Sequence, residues 1–247
     1  MINNKVLTVV MPAYNAEKTL AQTLEEVPMD IVDHIILVDD KSRDNTVETA
    51  LQLGIEYVIT HEENKGYGAN QKTCYDMAID IGSDIVIMLH PDYQYTPKLI
   101  HAMAYIIADD VYKVVFGSRI LGNDALKNGM PLYKYLSNRF LTFFQNLLMH
   151  KKLSEYHTGY RAFSTEVLKN VNYHFCSDDF IFDNQIIAQI FHKGYEIAEV
   201  TCPTKYFADA SSINFKRSLK YGFGCLNVAF RYFMHKTGLL KYDLLQK

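Results

Sequence analysis

The chain has little of what marks several large classes of protein. It contains no run of 18 apolar residues, so no membrane-spanning helix is expected. Its first residues, MINNKVLTVVMPAYN, lack the basic segment, apolar core and small-residue cleavage site of a secretory signal. Its four cysteines are widely spaced and form no C-x-x-C pair, which argues against zinc and redox motifs and favours reduced thiols. We therefore expect a cytoplasmic protein.

Glycine-rich phosphate loops are also missing. The segment HEENKGYGANQKTCYDMA has neither the spacing G-x-G-x-x-G nor G-x-x-x-x-G-K-[ST], which disfavours a dehydrogenase and a P-loop enzyme. No nucleic-acid recognition motif is visible and the formal net charge is −3, so a nucleic-acid partner is not expected.

Charge is distributed unevenly along the chain. Residues 1–112 carry 7 Lys and Arg against 18 Asp and Glu, and residues 153–204 carry 3 against 7. Residues 113–152 carry 7 against 1, and residues 205–247 carry 8 against 2. The acidic first part suits a bound cation, whereas the basic segments suit an anionic partner such as a phosphate or a membrane surface.

The order of apolar segments predicts the fold class. With 247 residues, of which 49% are hydrophobic, the chain can form one large α/β domain. The runs VLTVVM, HIILVDD, IEYVIT, DIVIMLH and KVVFGSR recur along it, and helix-like segments at 17–26, 46–53 and 67–81 separate the first four. This alternation predicts a mainly parallel sheet with helices on both faces. In such sheets ligands bind beyond the carboxyl ends of the strands.

Polar residues follow these strands and are the first site candidates. They are Pro12 to Asn15, Asp39 and Asp40, His90 to Asp92, and Ser118 with Arg119. Asn15 is a candidate N-cap of the first helix, and Asp44 or Asn45 of the second. Gly66 and Gly68 are expected to let a loop lie close to a ligand.

Several motifs together resemble the family 2 glycosyltransferases. VVMPAYNAEKTL, ILVDDKSRDNT, NKGYGANQ and GSDIVIMLHPDYQYTPKLI, followed by GSR, HTGYRAFS and CPTKYF, carry this resemblance. It implies a GT-A fold over 1–204, with a nucleotide-sugar-binding half at 1–118 and an acceptor half at 119–204. Residues 205–247 then form a basic C-terminal helical extension. The implied reaction is inverting transfer of a sugar from a UDP, GDP or dTDP sugar to an acceptor.

The resemblance also assigns a donor site. The implied donor residues are Pro12, Ala13, Tyr14, Asn15, Glu17, Asp39, Asp40, Lys65, Gly66, Asp92, Gln94, Lys205, Ser211 and Ser212. The D-x-D position of the family, which holds a divalent metal, here has His90 in place of the first acid and Asp92 as the second. Oxygen ligands suit Mg²⁺ or Mn²⁺, and one carboxylate with donor phosphates and waters is enough for Mg²⁺. His90 could ligate Mn²⁺, hydrogen-bond a phosphate, or orient Asp92.

The second half is expected to bind the acceptor. The resemblance makes Asp183 or Asp179 the candidate general base for an acceptor hydroxyl. A second interpretation of Asp178 and Asp179 is helix N-capping. In the polyprenyl-phosphate branch, which resembles dolichyl-phosphate mannosyltransferase, the acceptor phosphate is already ionised and scarcely needs a base.

That branch places the acceptor phosphate at Arg119, Ser137 and Arg139, with Arg161 structuring the pocket. The alternatives are transfer to a saccharide hydroxyl in surface glycan synthesis, or a nucleotide-sugar-binding protein that has lost catalysis. His90 and Gln185 are the departures from the family pattern that keep the last alternative open.

One segment has an unusually wide apolar stripe, and a second combines basic and aromatic residues. PLYKYLSNRFLTFFQNLLMH is apolar at 132, 136, 140, 143 and 147, with Lys134 and Arg139 adding positive charge. It is either a core or dimer helix, or a helix lying in a membrane interface. SLKYGFGCLNVAFRYFMHKTGLLKY presents the same choice between a membrane, such as the inner face of the cell membrane, and a twin subunit.

Overall fold

The computed structural model describes residues 1–204 and 215–246, with their side chains except those of 215 and 216. The strands are β1 (Leu7–Ala13), β2 (His34–Asp39), β3 (Tyr57–Thr60), β4 (Ile85–Met88), β5 (Val114–Ser118), β6 (Arg161–Ser164) and β7 (Ile197–Thr201). They form one sheet in the order β3-β2-β1-β4-β6-β5-β7. Neighbouring strands are parallel, except that β6 is antiparallel to β4 and β5.

Helices cover both faces of this sheet. The α-helices are α1 (Glu17–Glu25), α2 (Thr46–Gln52), α3 (Tyr67–Asp80), α4 (Ile100–Ala108), α5 (Leu132–Met149), α6 (Thr165–Asn170), α7 (Phe182–His192) and α8 (Phe215–Lys236). The three helices predicted between the first strands are confirmed to within one residue at each end. The predicted α/β class, a mainly parallel sheet flanked by helices and followed by a C-terminal helix, is confirmed.

Alternation along the strands builds two cores. Val10 faces a layer that includes α3, α7 and part of α8, whereas Val9 and Met11 face a layer that includes α1 and α4. Because β1 and β4 lie inside the sheet and are buried on both faces, their sequences are apolar except for the buried Thr8 of β1. The four cysteines are buried free thiols, as predicted.

Helix α5 is amphipathic with its polarity reversed. Its outer face carries five large apolar side chains that are 56–62% exposed: Leu132, Leu136, Phe140, Phe143 and Leu147. Its buried residues are mostly polar: Asn138, Thr142, Gln145 and Met149. The predicted wide stripe is therefore real, but it does not face the core.

Helix α8 packs along α5 and also contacts α7. It adds exposed Leu219, Phe223 and Phe230 to the surface. Neither helix carries negative charge, because the sequence has no Asp or Glu within 132–149 or within 215–236. We call the surface formed by the exposed apolar residues of α5 and α8 the apolar face. No helix among the described residues is both long and apolar enough to cross a bilayer.

Candidate active site

The ends of β1, β2 and β4 bring the predicted donor residues to one edge of the sheet. Asp39 pairs in register with Ala13, because β1 and β2 are adjacent and parallel. Asp39 is buried and accepts the backbone N–H of Ser42 (2.9 Å), and its other oxygen contacts the Ser42 hydroxyl. Asp39 therefore fixes the turn that follows β2.

Asn15 lies beside this turn in a left-handed backbone conformation, with φ of 53°. Its backbone N–H donates to the Ser42 hydroxyl (2.8 Å), and its side-chain oxygen accepts the backbone N–H of Arg43 (2.8 Å). Pro12 and Ala13 are buried in β1, whereas the Tyr14 side chain is exposed. The segment after β1 and the turn after β2 thus hold each other.

The expected N-caps are only partly correct: Asp44 accepts the N–H of Thr46, the first residue of α2 (3.1 Å), but the Asn15 and Asn45 side chains cap neither helix. Asn15 does not cap α1; Thr46 accepts the N–H of Ala16 (2.8 Å) and Asp44 accepts that of Glu17 (3.1 Å). Asn45 makes no side-chain cap of α2, although its amide donates to Glu17 (3.0 Å). The residues at the starts of α1 and α2 thus bond to each other, although they lie far apart in sequence. The usual capping rule considers only residues next to the helix itself, so it could not predict these bonds.

Asp40 shapes the loop that precedes α3. Its carboxylate accepts the backbone N–H groups of Lys65 (2.8 Å) and Gly66 (2.9 Å) and lies 2.8 Å from His61 Nδ1. Asp40 is buried, and these protein donors engage both of its oxygens. It therefore holds the backbone of Lys65 and Gly66 in place.

Gly66 and Gly68 allow a close approach, but to protein backbone. A Cβ on Gly66 would lie 2.7 Å from the Asp178 carbonyl oxygen, and one on Gly68 would lie 2.3 Å from that of Ser177. The Asp178 carbonyl accepts the N–H of Gly68 (2.8 Å) at the start of α3. These glycines join the first half of the chain to residues 177–178, and the expectation that they let a loop lie close to a ligand stays a prediction.

His90 and Asp92 follow β4, as the D-x-D resemblance implies. The His90 ring stacks on Tyr67 with centroids 5.5 Å apart, and a Cβ on Gly159 would lie 2.7 Å from its Nε2. Burial, together with the nearby Arg161 guanidinium, lowers the pKa of His90 to about 4. The ring is thus neutral at neutral pH and packs against protein through Nε2.

Asp92 fits a hard divalent cation as one carboxylate ligand. One of its oxygens accepts the backbone N–H of Gln94 (3.1 Å), and burial raises its pKa to about 6. A cation beside the carboxylate would favour its charged form. No cluster of three or more His, Cys, Asp or Glu suited to a metal occurs in the described part of the chain, so donor phosphates or waters would have to complete the coordination.

Asp183 lies at the centre of a buried network. It accepts from Arg161 Nη1 (2.8 Å), the Tyr67 hydroxyl (2.9 Å) and the Gln71 amide (3.2 Å). Arg161 is fully buried and also donates to the Thr158 carbonyl (2.9 Å). Burial raises the pKa of Asp183, and Arg161 opposes this shift. Asp183 is only 6% exposed, and protein donors engage both of its side-chain oxygens; its role as a general base stays a prediction.

The other two acids of this region do not cap α7, whose N-cap residue is Ile181. Asp178 pairs with Lys72 (2.7 Å), and Asp179 lies 3.9 Å from Arg217 of α8. The N-capping interpretation is therefore wrong for both side chains, although the Asp178 carbonyl receives N–H groups of α3. Asp178 and Asp179 are both exposed.

The predicted phosphate arginines approach adjacent residues of one loop. Arg119 donates from Nε to Glu155 (2.9 Å) and from Nη2 to the His157 carbonyl (2.9 Å). Arg139 is exposed on α5 and donates to the Ser154 carbonyl (3.2 Å). Glu155 is fully buried; burial alone would raise its pKa, but Arg119 holds it below its usual value. Ser137 is exposed on α5.

Several residues of the site were not singled out from the sequence. Glu155 positions Arg119, and Asn138 of α5 donates to the same carboxylate (2.8 Å). His157 belongs to the motif HTGYRAFS, but only the fold shows that Tyr221 of α8 contacts it (2.9 Å). The predicted diphosphate residues Lys205, Ser211 and Ser212 lie outside the described residues.

Comparison with known proteins gives consistent matches. A family model described as glycosyl transferase family 2 matches residues 8–171. A UDP-N-acetylglucosamine–dolichyl-phosphate N-acetylglucosaminyltransferase of Methanococcus voltae is 32% identical over 182 residues, covering 67% of this chain and 72% of the relative. The low-salt glycan biosynthesis hexosyltransferase Agl6 of Haloferax volcanii is 29% identical, covering 78% of this chain and 46% of that protein.

A solved structure matches the fold. Glucosyl-3-phosphoglycerate synthase from Mycobacterium tuberculosis, in complex with Mn²⁺, UDP and phosphoglyceric acid, aligns with a TM-score of 0.67 at 16% identity. The alignment covers 93% of this chain and 79% of the synthase. The likeness confirms the GT-A type of sheet expected from the sequence.

Proposed function

The chain belongs to glycosyl transferase family 2 and is a nucleotide-sugar glycosyltransferase, and we propose that it transfers the sugar of a nucleoside diphosphate donor to a polyprenyl phosphate at a membrane surface. The observation that carries this proposal is helix α5, which is apolar outside and polar inside. A surface helix in water has the opposite arrangement. The reversed polarity is what a helix resting on lipid requires.

The charge of the apolar face supports the same partner. Neither α5 nor α8 contains Asp or Glu, and α5 places Arg139 among its exposed residues. Interfacial helices bury their apolar side chains near the headgroups, and their basic side chains are attracted to anionic lipids. The Methanococcus voltae relative is named for a dolichyl-phosphate acceptor, which is a lipid of this kind. The cytoplasmic location remains a prediction, and lipid contact would place the enzyme at the inner face of the membrane.

The arginines beside this face suit the headgroup of the acceptor. Arg119 and Arg139 bond to residues 154–157, so both cations lie at one loop close to α5. Arginine forms strong charge-assisted hydrogen bonds with phosphate oxygens. We propose that this loop receives the acceptor phosphate while its prenyl chain stays in the lipid.

The donor would bind at the ends of β1, β2 and β4. Asp39 and Asn15 build the turn that would grip the nucleoside, and Asp92 would hold Mg²⁺ or Mn²⁺. When bound, such an ion supplies positive charge to the departing diphosphate. Because Nε2 of His90 packs against Gly159 and Tyr67, we assign His90 to orienting the Asp92 loop.

The engagement of Asp183 favours a phosphate acceptor over a saccharide hydroxyl. A hydroxyl must lose its proton to a base, whereas a phosphate is already ionised. Asp183 is engaged by Arg161, Tyr67 and Gln71, and this arrangement suits a structural centre. We therefore expect Asp183→Asn to affect stability more than the chemistry of transfer.

Transfer is tested by incubating the enzyme with radiolabelled UDP, GDP and dTDP sugars, a polyprenyl phosphate and Mg²⁺ or Mn²⁺. Label should enter the organic phase with the polyprenyl phosphate but not with the free polyprenol. Arg139→Ala should reduce transfer at least tenfold, because it removes a charge-assisted contact. Lys152→Ala removes another exposed cation just beyond α5 and is the matched control. Labelling of a saccharide and not of the polyprenyl phosphate would contradict the proposal.

Membrane contact is tested by flotation with vesicles of phosphatidylcholine and phosphatidylglycerol. The double variant Phe140→Ser with Phe143→Ser should float less than the wild type. Leu51→Ser, which removes an equally exposed leucine from α2, should float normally. If the phenylalanine variant changes a dimer into a monomer in light scattering and leaves flotation unchanged, the apolar face is a subunit interface.

A further inference from the structure

A chain of polar side chains runs through the acceptor half. Gln145 of α5 donates to the Asn184 side-chain oxygen on α7 (2.6 Å), and the Asn184 amide donates to the Tyr221 hydroxyl on α8 (2.9 Å). That hydroxyl lies 2.9 Å from Nδ1 of His157. Residues from three helices therefore fix the imidazole of a loop residue.

The second nitrogen of this imidazole differs from the first. Nε2 of His157 is buried and has no hydrogen-bond partner among the described residues. Burial lowers the pKa of His157 to about 4, so the ring is neutral at neutral pH. Of the two arrangements that the contact between Nδ1 and Tyr221 allows, the one in which the hydroxyl donates to Nδ1 places the proton of the neutral ring on Nε2. A buried donor without a partner is costly unless a ligand or water completes it.

The position of His157 identifies the ligand class. Its backbone carbonyl accepts from Arg119, and Glu155, two residues earlier, fixes the same arginine. Arg139 bonds to Ser154 in the same loop. An unpartnered N–H donor in the loop to which Arg119 and Arg139 bond matches the oxygens of a phosphate, which accept hydrogen bonds and carry negative charge.

We infer that His157 is an acceptor-binding residue whose Nε2–H donates to a phosphate oxygen of the acceptor, with Tyr221 and Asn184 holding the ring in place. The inference rests on the proposed phosphate acceptor. It adds a neutral donor to the two arginines, and it links acceptor binding to α8 through Tyr221.

The test measures binding of citronellyl phosphate, a short prenyl phosphate, by calorimetry, with citronellol as the probe lacking phosphate. His157→Phe keeps a ring of similar shape and removes the donor, so the dissociation constant should rise about tenfold or more. His157→Gln can still donate and should recover most of the affinity. Tyr221→Phe should weaken binding less than His157→Phe, because it only loosens the ring.

A matched control is available on α7. His192 also has a buried ring nitrogen without a partner in the described structure, Nδ1, but its ring packs against His235. His192→Phe should bind citronellyl phosphate like the wild type. Nucleoside diphosphate binding should be unchanged in all of these variants, which separates acceptor loss from damage to the donor site.

The outcomes are distinct. Wild-type affinity in a folded His157→Phe variant overturns the inference and leaves the proposed function intact. No binding of citronellyl phosphate by the wild type contradicts the proposed acceptor itself. If His157→Phe does not fold, the ¹⁵N signal of His157 Nε2 in the wild type decides: a shift on adding citronellyl phosphate supports the contact, and an unchanged signal overturns it.

Discussion

The two halves of the molecule treat their polar atoms differently. In residues 1–118 the candidate donor residues are bonded to one another, as Asp39 is to Ser42 and Asp40 to the loop before α3. In the described part of the chain, seven buried side-chain polar atoms lack a partner, and all of them belong to residues 145–204. The candidate donor residues of the first half hold one another, whereas the second half contains His157 Nε2, the unpartnered atom assigned above to the acceptor.

The two halves also differ in charge. The first 112 residues carry an excess of acid, and the two helices of the apolar face in the second half carry no acid at all. A small charged donor can be received by a rigid preformed pocket. A lipid-linked acceptor, as proposed above, instead requires an apolar surface beside its phosphate site. The first half thus holds an acidic site through its own hydrogen bonds, whereas the second half presents the apolar face, which carries no acidic residue.

The largest expected effect is at the joint between the halves, where Asp183 accepts from Tyr67 and Gln71 of the first half. Arg161→Met leaves the Asp183 charge buried and uncompensated, so it should lower the free energy of unfolding by about 3–5 kcal/mol. Urea denaturation measures this loss. Adding Asp183→Asn removes the stranded charge and should recover part of it. A single variant within about 1 kcal/mol of the wild type would show that the Asp183 charge is compensated without Arg161.

The next effect lies within the first half. Asp40→Ala strands the N–H groups of Lys65 and Gly66, so the free energy of unfolding should fall by about 3 kcal/mol. Nucleotide binding should weaken with it, because the loop before α3 loses its anchor. Asp80→Ala, at an exposed acid on α3, is the control and should change stability little. Normal stability of Asp40→Ala would mean that the first half is not held by these bonds.

A third prediction concerns how low pH affects stability through His157 of the second half. Since the folded pKa of His157 is about 4 and the ordinary value is about 6.5, the unfolded chain binds more protons in between. Stability should therefore fall as the pH drops from 7 to 5, and His157 should account for about 2 kcal/mol of that loss. Urea unfolding of the wild type and His157→Gln at both pH values isolates this share. Parallel pH curves would contradict the burial of the ring.

The smallest effect is expected on the apolar face. Phe143→Ala should change the free energy of unfolding by no more than about 0.5 kcal/mol, because the side chain is exposed. Phe116→Ala, at a fully buried phenylalanine, should cost about 3–5 kcal/mol. Thermal unfolding without lipid compares the two variants. A large loss for Phe143→Ala would indicate a packing partner for this face, such as a second subunit.

Much of the fold could be predicted from the sequence, because parallel buried strands and amphipathic helices repeat with periods that are local. The first five strands and the three helices between the first four of them illustrate this. The exposed stripe on α5 was also visible, but its direction was not. Periodicity gives a helix its faces, and only tertiary packing decides which face is buried.

The site was predicted where it depended on strand ends and missed where it depended on distant contacts. Asp39 and Asp92 lie at strand ends as expected, although their ligands remain predictions. The capping of α1 from the turn after β2, and the approach of Gly68 to Ser177, join residues far apart in sequence. The pairing of His157 with Tyr221 spans 64 residues, so no local motif could indicate it.

The packing of α8 on α5 also limits how the protein could be divided or recombined. The family model ends at residue 171, before β7 and α8. Yet Tyr221 of α8 touches Asn184 and His157, and Arg217 lies over the ring of Phe180. A graft that exchanged only the matched segment would separate two helices that form one surface. In a chimeric protein, the segment from α5 to α8 therefore has to be exchanged as one unit.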